Sequence, residues 1–429
     1  MGESSLSISF TYKVAYMSLG SSFNRLWSAS ILSNLADGLA MTAFPLLAIS
    51  LTKDPVLISI TGALVMLPWL LFAVPIGAVV DSVNRKYIVA GANAMRSLIA
   101  ATLSLTIIFD VVNIYWLFLI IFLVGICEVF ADTASQTVLP AVVDKEKLEV
   151  ANSRMEITHT IVQGFVGAPI GALIYVVAIA APFIANSVGF FVAALISLTI
   201  PLHFVKTERE SGKTGFSALR EDMISGISFL WNHKELRRLV LTTSAIGIGF
   251  SFATSTQILF AVDLLKLDPK YFGLVMSALA GASLIGAFLA PKSAEKFGRG
   301  SVLRAAMVTS TALTFATAFS PNLWFYIGLS LLGAFSIVHW NIVLMATYQR
   351  LIPQEIYGRV HGTRRTLVWG SMPIASLLGG FVAKIDLRLP FVLGGAFALI
   401  LAVSNSRFIK SVGDSGAAEL EEVDSSGGK

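Results

Sequence analysis

Twelve long apolar runs, separated by glycine, proline or clusters of charge, organise the chain between Leu26 and Phe408. A helix needs about 20 such residues to cross a bilayer, so the pattern predicts twelve transmembrane helices. The first six are Leu26–Ser50, Val56–Val80, Tyr87–Phe109, Ile114–Thr137, Ala151–Ile179 and Pro182–Leu202. The second six are Leu239–Val262, Tyr271–Ala290, Ser301–Ser320, Leu323–Tyr348, Thr366–Val382 and Pro390–Phe408. The expected architecture is an all-α membrane protein in two six-helix halves, 1–202 and 239–410. A basic connection over 203–238 joins them and carries an amphipathic helix around Phe216–Trp231 that tethers it to the membrane surface. Residues 411–429, acidic and rich in Gly and Ser, read as a disordered tail.

Composition narrows this picture. Hydrophobic residues make up 55% and charged residues 13% of the chain, whereas a soluble globular domain carries about 25% charge. The mean hydropathy is +0.77, and little sequence is left over for a soluble domain. Of 31 Lys and Arg, 25 fall in, or within a turn of, the terminal segments and alternate connections that share one side. Five fall on the other side (Lys53, Lys266, Lys270, Lys384, Arg388), and Arg96 is embedded. Basic connections stay cytoplasmic, which puts both termini inside and makes the net charge of +5 a matter of topology, with no nucleic-acid partner expected. Residues 1–25 lack the order of a cleaved signal, so the first span acts as an uncleaved anchor. Cys127 alone permits neither a disulfide framework nor a cysteine metal site. There is no Walker loop, His-Glu-x-x-His or Gly-x-Ser-x-Gly on a fitting scaffold, so neither an enzyme nor a cofactor is expected.

The halves also look like distant copies. Gly77-Ala78 recurs as Gly286-Ala287, Leu139-Pro140 as Ile352-Pro353 and Pro169-Ile170 as Pro373-Ile374, at offsets of 209, 213 and 204. Repeats of this kind place a substrate cavity at their interface, near mid-membrane.

Three charges interrupt the apolar runs near their middles, and an intramembrane charge marks function by default. Asp37 shares a helical face with Asn34, Arg96 with Asn93, and Glu128 lies midway along the fourth span. Two acids and one base at one depth do not neutralise as a single pair, so one carboxylate is left to take a proton, as a proton-coupled carrier requires. Asp132, one turn after Glu128, is read as pairing with Arg85 or Lys86 near the membrane surface. The second half has no acid at mid-depth. Its candidates are Ser251, Thr254, Ser255 and Gln257, together with His339, Trp340 and Asn341. For His339 two roles stay open, exchange of a proton and plain helix packing. With 29 Phe and 7 Trp, an aromatic cavity for a bulky amphiphile is expected.

Between the second and third spans the sequence reads Gly77-Ala-Val-Val-Asp81-Ser-Val-Asn84-Arg85-Lys86. It resembles the signature Gly-x-x-x-Asp-Arg-x-Gly-Arg-Lys/Arg of the major facilitator superfamily, departing from it at Ser82 and Asn84. Gly77 permits close helix packing, Asp81 accepts hydrogen bonds at a helix N-terminus, and Arg85 with Lys86 supplies countercharge, which makes an inner gate. Asn84 in place of glycine tolerates a left-handed turn. Phe23-Asn-Arg-Leu-Trp27 with Ser33-Asn-Leu-Ala-Asp37-Gly38, Leu139-Pro140 with Leu148 and Ala151-Asn152, and Gly358-Arg359-Val360 resemble the macrolide-efflux and enterobactin-exporter branch. Gly164, Gly167, Pro169 and Gly171 are similar to the Gly-Pro-rich antiporter motif, though Ala168 and Ala172 break its spelling. Helix packing around a proline kink accounts for the same residues equally well.

The resemblance implies a secondary transporter in a plasma or bacterial inner membrane, functional as a monomer in the lipid bilayer. It would export a small amphipathic molecule in exchange for protons by alternating access. A proton-coupled uptake symporter and a non-transporting receptor on the same scaffold are the alternatives.

Overall fold

A computed structural model of the chain describes residues 19–144, 147–201, 224, 226–352 and 356–415. Each of the twelve predicted spans coincides with a helix or helical run, and the described residues contain no strand. The first set is α1 (Ser21–Leu51), α2 (Pro55–Ser82), α3 (Arg85–Ile108), α4 (Ile114–Val142), α5 (Leu148–Thr158), a π-helical stretch (His159–Gly167), α6 (Ala168–Val177) and α7 (Ala181–Leu198). The second is α8 (Lys234–Thr254), the short turns Gln257–Leu259, Phe260–Leu264 and Pro269–Tyr271, α9 (Phe272–Phe297), α10 (Arg299–Thr317), α11 (Leu323–Leu351), α12 (Tyr357–Ala383), α13 (Leu389–Ser404) and α14 (Ser406–Asp414).

In lipid every backbone polar group must be satisfied within the chain, which is why apolar runs of this length become helices. Three spans open on the same device. Asn84, Asn113 and Asn322 accept backbone N–H bonds from Lys86, Trp116 and Phe325, filling orphan donors at the starts of α3, α4 and α11. Among the described residues seven helices are long and apolar enough to cross a membrane by themselves, or nine if two bent pairs each count as one span. Many large apolar side chains point outward, Val177 at 84% exposure among them, as expected of surfaces that face lipid.

Several helices run past their predicted bounds, two of them for reasons visible in the structure. The eleventh span begins at Tyr357, nine residues before Thr366, because polar residues that hydropathy excludes still continue the helix. Arg364 lies over the Tyr348 ring at 4.7 Å. The final helix runs to Asp414, past Ser411 where the tail was expected to start, since Asp414 accepts the Gly300 N–H at 2.8 Å. Residues 416–429, and 203–223 of the connection, lie outside the described residues.

The chain divides into two compact units, one within Met1–Leu47 and Leu71–Phe216, the other within Ala48–Leu70 and Ser217–Lys429. In the first, α3 packs against α7 and α4 around Phe23, Leu103, Leu117, Phe183 and Phe190. In the second, α8 packs against α13 and α12, and α10 against α11 and α13, around Leu239, Phe260, Leu303, Tyr348 and Phe391. Close helix approach in the first unit depends on glycine. A Cβ on Gly167 would sit 2.8 Å from the Gly38 Cα, and a Cβ on Gly171 would run into the Leu39 backbone.

Candidate functional site

The three embedded charges of the first half converge. Arg96 of α3 is fully buried, and its Nη2 donates a hydrogen bond to Asp37 Oδ1 of α1 and lies 3.9 Å from Glu128 Oε2 of α4. Its Nη1 donates to Ser33 Oγ at 3.3 Å, and the guanidinium stacks on the Phe190 ring of α7 at 3.9 Å. Ser33 in turn donates to Asn93 Oδ1 at 3.4 Å. One cation is thus held from four helices, with two carboxylates, a hydroxyl and an aromatic face around it. The Asp37 and Glu128 side chains keep 16% and 29% of their surface, so both carboxylates still meet open space.

The local sequence places these groups. Ser33 and Asp37 stand one turn apart on α1, as Asn93 and Arg96 do on α3, so each helix presents a polar stripe at one depth. The backbone of α1 is fixed behind Asp37 by Gly38 against Gly167, by Thr42 Oγ1 donating to Ala168 O at 2.7 Å, and by Asn186 Nδ2 donating to Ala36 O at 2.6 Å. The π-helical stretch His159–Gly167 lies next to this contact; π-bulges cluster at functional sites.

A cavity of about 510 Å³ opens within the first unit beside the charges. Ser33, Asn34, Asn93, Asp132 and His159 are among its walls, and no Phe, Tyr or Trp lines it. Elsewhere among the described residues Phe109 and Trp324 are exposed, while Phe260 packs at a tilt against Phe391. Asn34 turns its amide back onto Ser30 of its own helix rather than toward Arg96.

The other predicted residues divide. Gly167 and Gly171 are tight contacts and Pro169 starts α6, but a Cβ at Gly164 would meet nothing within 4 Å. Gly77 likewise has open space around it, so it is not the close-packing residue expected. Its repeat counterpart Gly286 is, with Phe335 O 2.8 Å from where a Cβ would stand. Asn84 adopts an extended φ of −63° and caps α3, so no left-handed turn calls for glycine there. Arg85 Nη1 reaches Thr137 O at 3.5 Å and Lys86 lies over the Tyr87 ring at 5.4 Å, while the side chain of Asp81 lies outside the described residues.

In the second unit, His339 is buried, shares Nδ1 with Phe335 O of its own helix at 3.2 Å and stacks on the Phe335 ring; Asn341 is exposed. Thr254 and Ser255 bond their own helix, Ser251 donates to Met372 O and Gln257 donates to the Tyr326 hydroxyl. No group of three or more His, Cys, Asp or Glu suited to a metal occurs among the described residues. Sequence reasoning missed Phe190 and the role of Ser33. A serine one turn before an embedded aspartate was the available signal for the second, and nothing marked the first among 29 phenylalanines.

Apolar helices long enough to cross a membrane, with a buried charge cluster held among those of the first unit, fit the class of membrane transporters. The sequence model of the Major Facilitator Superfamily matches residues 26–376, and the chain belongs to that family. It is 25% identical over 397 residues to the multidrug efflux pump Tap of Mycolicibacterium fortuitum, covering 87% of this chain and 94% of the relative. It is 22% identical over 386 residues to macrolide efflux protein A of Streptococcus pyogenes, covering 89% and 94%. A bacterial homologue of the iron transporter ferroportin, solved in an inward-facing state, shares the fold with a TM-score of 0.70 at 16% identity, over 92% of this chain and all of that one.

Proposed function

We propose that this transporter exports a small amphipathic molecule in exchange for protons, and that Asp37 and Glu128 carry the proton. The observation behind the reading is one guanidinium shared by two carboxylates, all three carried on helices long and apolar enough to cross a membrane. With both acids ionised the cluster holds a net negative charge out of water, a costly state; a proton on one carboxylate, or a cationic substrate group beside it, removes that charge. Exclusion of one by the other couples the two fluxes. Two efflux pumps among the relatives support the outward direction. In this reading residues 1–202 and 239–410 form the two six-helix halves of an alternating-access carrier in the plasma or bacterial inner membrane. The carrier works as a monomer with both termini cytoplasmic, and Asp81, Arg85 and Lys86 latch its inner face.

The test is movement of a compound library across proteoliposomes under an imposed pH gradient. Flux opposite to the proton gradient supports export. Flux in the direction of the protons makes the chain an uptake symporter, and binding without flux makes it a receptor.

A further inference from the structure

The cavity beside the ion cluster has a chemistry of its own. Its walls carry hydroxyls, amides, one carboxylate (Asp132) and one imidazole (His159) beside six apolar residues such as Leu26, Val89 and Met155, with no carbocyclic aromatic ring, a mixed lining with enough polar partners to hold water. It extends along α4 through Ser135, Gln136 and Leu139, toward the end of that helix where Val142 stands, and reaches Asn152 on α5. Its other extreme is Ser33 and Asn93, the pair bonded to Arg96. Asp132 is exposed to this space one turn from Glu128, and its charge is felt at Asp37, Arg96 and Glu128.

We infer that this cavity is the proton's path on the cytoplasmic side, a water-filled vestibule in which Asp132 and His159 relay protons between solution and the Asp37–Arg96–Glu128 cluster. The inference rests on the proton-coupled reading above. During export a protonated Glu128 gives its proton through water to the Asp132 carboxylate, which passes it by way of His159 to solution; loading of the cluster from this side reverses these steps, so no net charge accumulates on the path. Titratable and charged groups near it include Asp37 of α1, Arg96 of α3, Cys127 and Glu128 of α4 and His159 of the π-helical stretch. Imidazole and carboxyl groups relay protons efficiently when held within reach of one another or of a bridging water.

The experiment needs no transported ligand. After a rapid pH jump on the purified full-length protein in detergent, infrared absorption of the protonated carboxyl band follows proton arrival at the cluster. Asp37→Asn and Glu128→Gln identify that band. Asp132→Asn and His159→Gln are expected to slow its rise by about tenfold or more with its full amplitude kept. Ser135→Phe, which fills the cavity without changing charge, is expected to slow it comparably, and Asp132→Glu to restore much of the rate. The rate is the deciding quantity, because removing any nearby charge shifts the midpoint. Unchanged rates in Asp132→Asn and Ser135→Phe overturn the relay. If the band is absent from the wild type, or survives in both Asp37→Asn and Glu128→Gln, the proton-coupled reading itself fails, a result distinct from failure of the relay alone.

Discussion

Charge is handled in opposite ways by the two units. In the first, Arg96 is wholly buried at mid-helix and reaches two carboxylates, a hydroxyl and an aromatic ring. In the second, Lys53–Asp263, Lys384–Asp54 and Lys270–Asp268 pair at 2.8 to 2.9 Å beside helix ends, each side chain at least a third exposed. Further in, Gln257 pairs with Tyr326, and Tyr348 meets Thr243 and the Arg364 cation, with no carboxylate paired to that cation among the described residues. A desolvated cluster changes its energy strongly with each proton or ion it gains, whereas exposed pairs are screened by water. In the proposed mechanism the first unit therefore carries the switchable chemistry, while the ion pairs of the second lie at its helix ends.

The largest expected effect comes from taking away the buried cation. Arg96→Met leaves two carboxylates without their partner and is expected to destabilise the protein by about 3–5 kcal/mol. Thermal unfolding in detergent reads this, and adding Asp37→Asn and Glu128→Gln should recover most of the loss. Next is the glycine contact behind Asp37. Gly167→Val should cost about 1–3 kcal/mol and displace α1, while Gly77→Ala and Gly164→Ala, with open space around them, should lie within about 0.5 kcal/mol of wild type by the same assay.

Smallest are the exposed pairs. Lys53→Asp alone should cost no more than about 1 kcal/mol, and pairing it with Asp263→Lys should restore the wild-type melting temperature. The hydrogen bond from Lys384 holds the Asp54 carboxyl below its ordinary value. Its contribution is present above the unfolded value and lost only as pH falls through the lowered one. Unfolding of Lys384→Met should therefore differ from wild type by the same small amount from about pH 5 to about pH 8.

Much of this was legible in the sequence. Helix positions follow from apolar run length, because lipid leaves the backbone no alternative. Asp37, Arg96 and Glu128 stood out because charge is so costly at mid-membrane that little but function retains it there. Their convergence was readable only as equal depth. That Arg96 bonds Asp37 closely and Glu128 more distantly depends on helix rotation, which hydropathy does not encode. The π-helical stretch from His159 has no sequence signal, since it changes backbone hydrogen bonding without demanding particular side chains. Gly77 shows the converse: a motif match suggested packing, yet only its neighbours in space decide whether a Cβ fits, and the tight contact is at Gly286. The Asn84 cap was readable from an asparagine at the head of an apolar run, but the comparison with a glycine motif pointed elsewhere.

The most direct test of the asymmetry is gradient-driven flux in proteoliposomes, measured side by side for wild type, Asp37→Asn, Glu128→Gln and His339→Gln with whichever library compound the wild type moves. The account predicts that at least one first-unit substitution abolishes uphill transport while His339→Gln leaves it within about twofold. Loss of transport in His339→Gln, or full uphill flux in both first-unit variants, would contradict it.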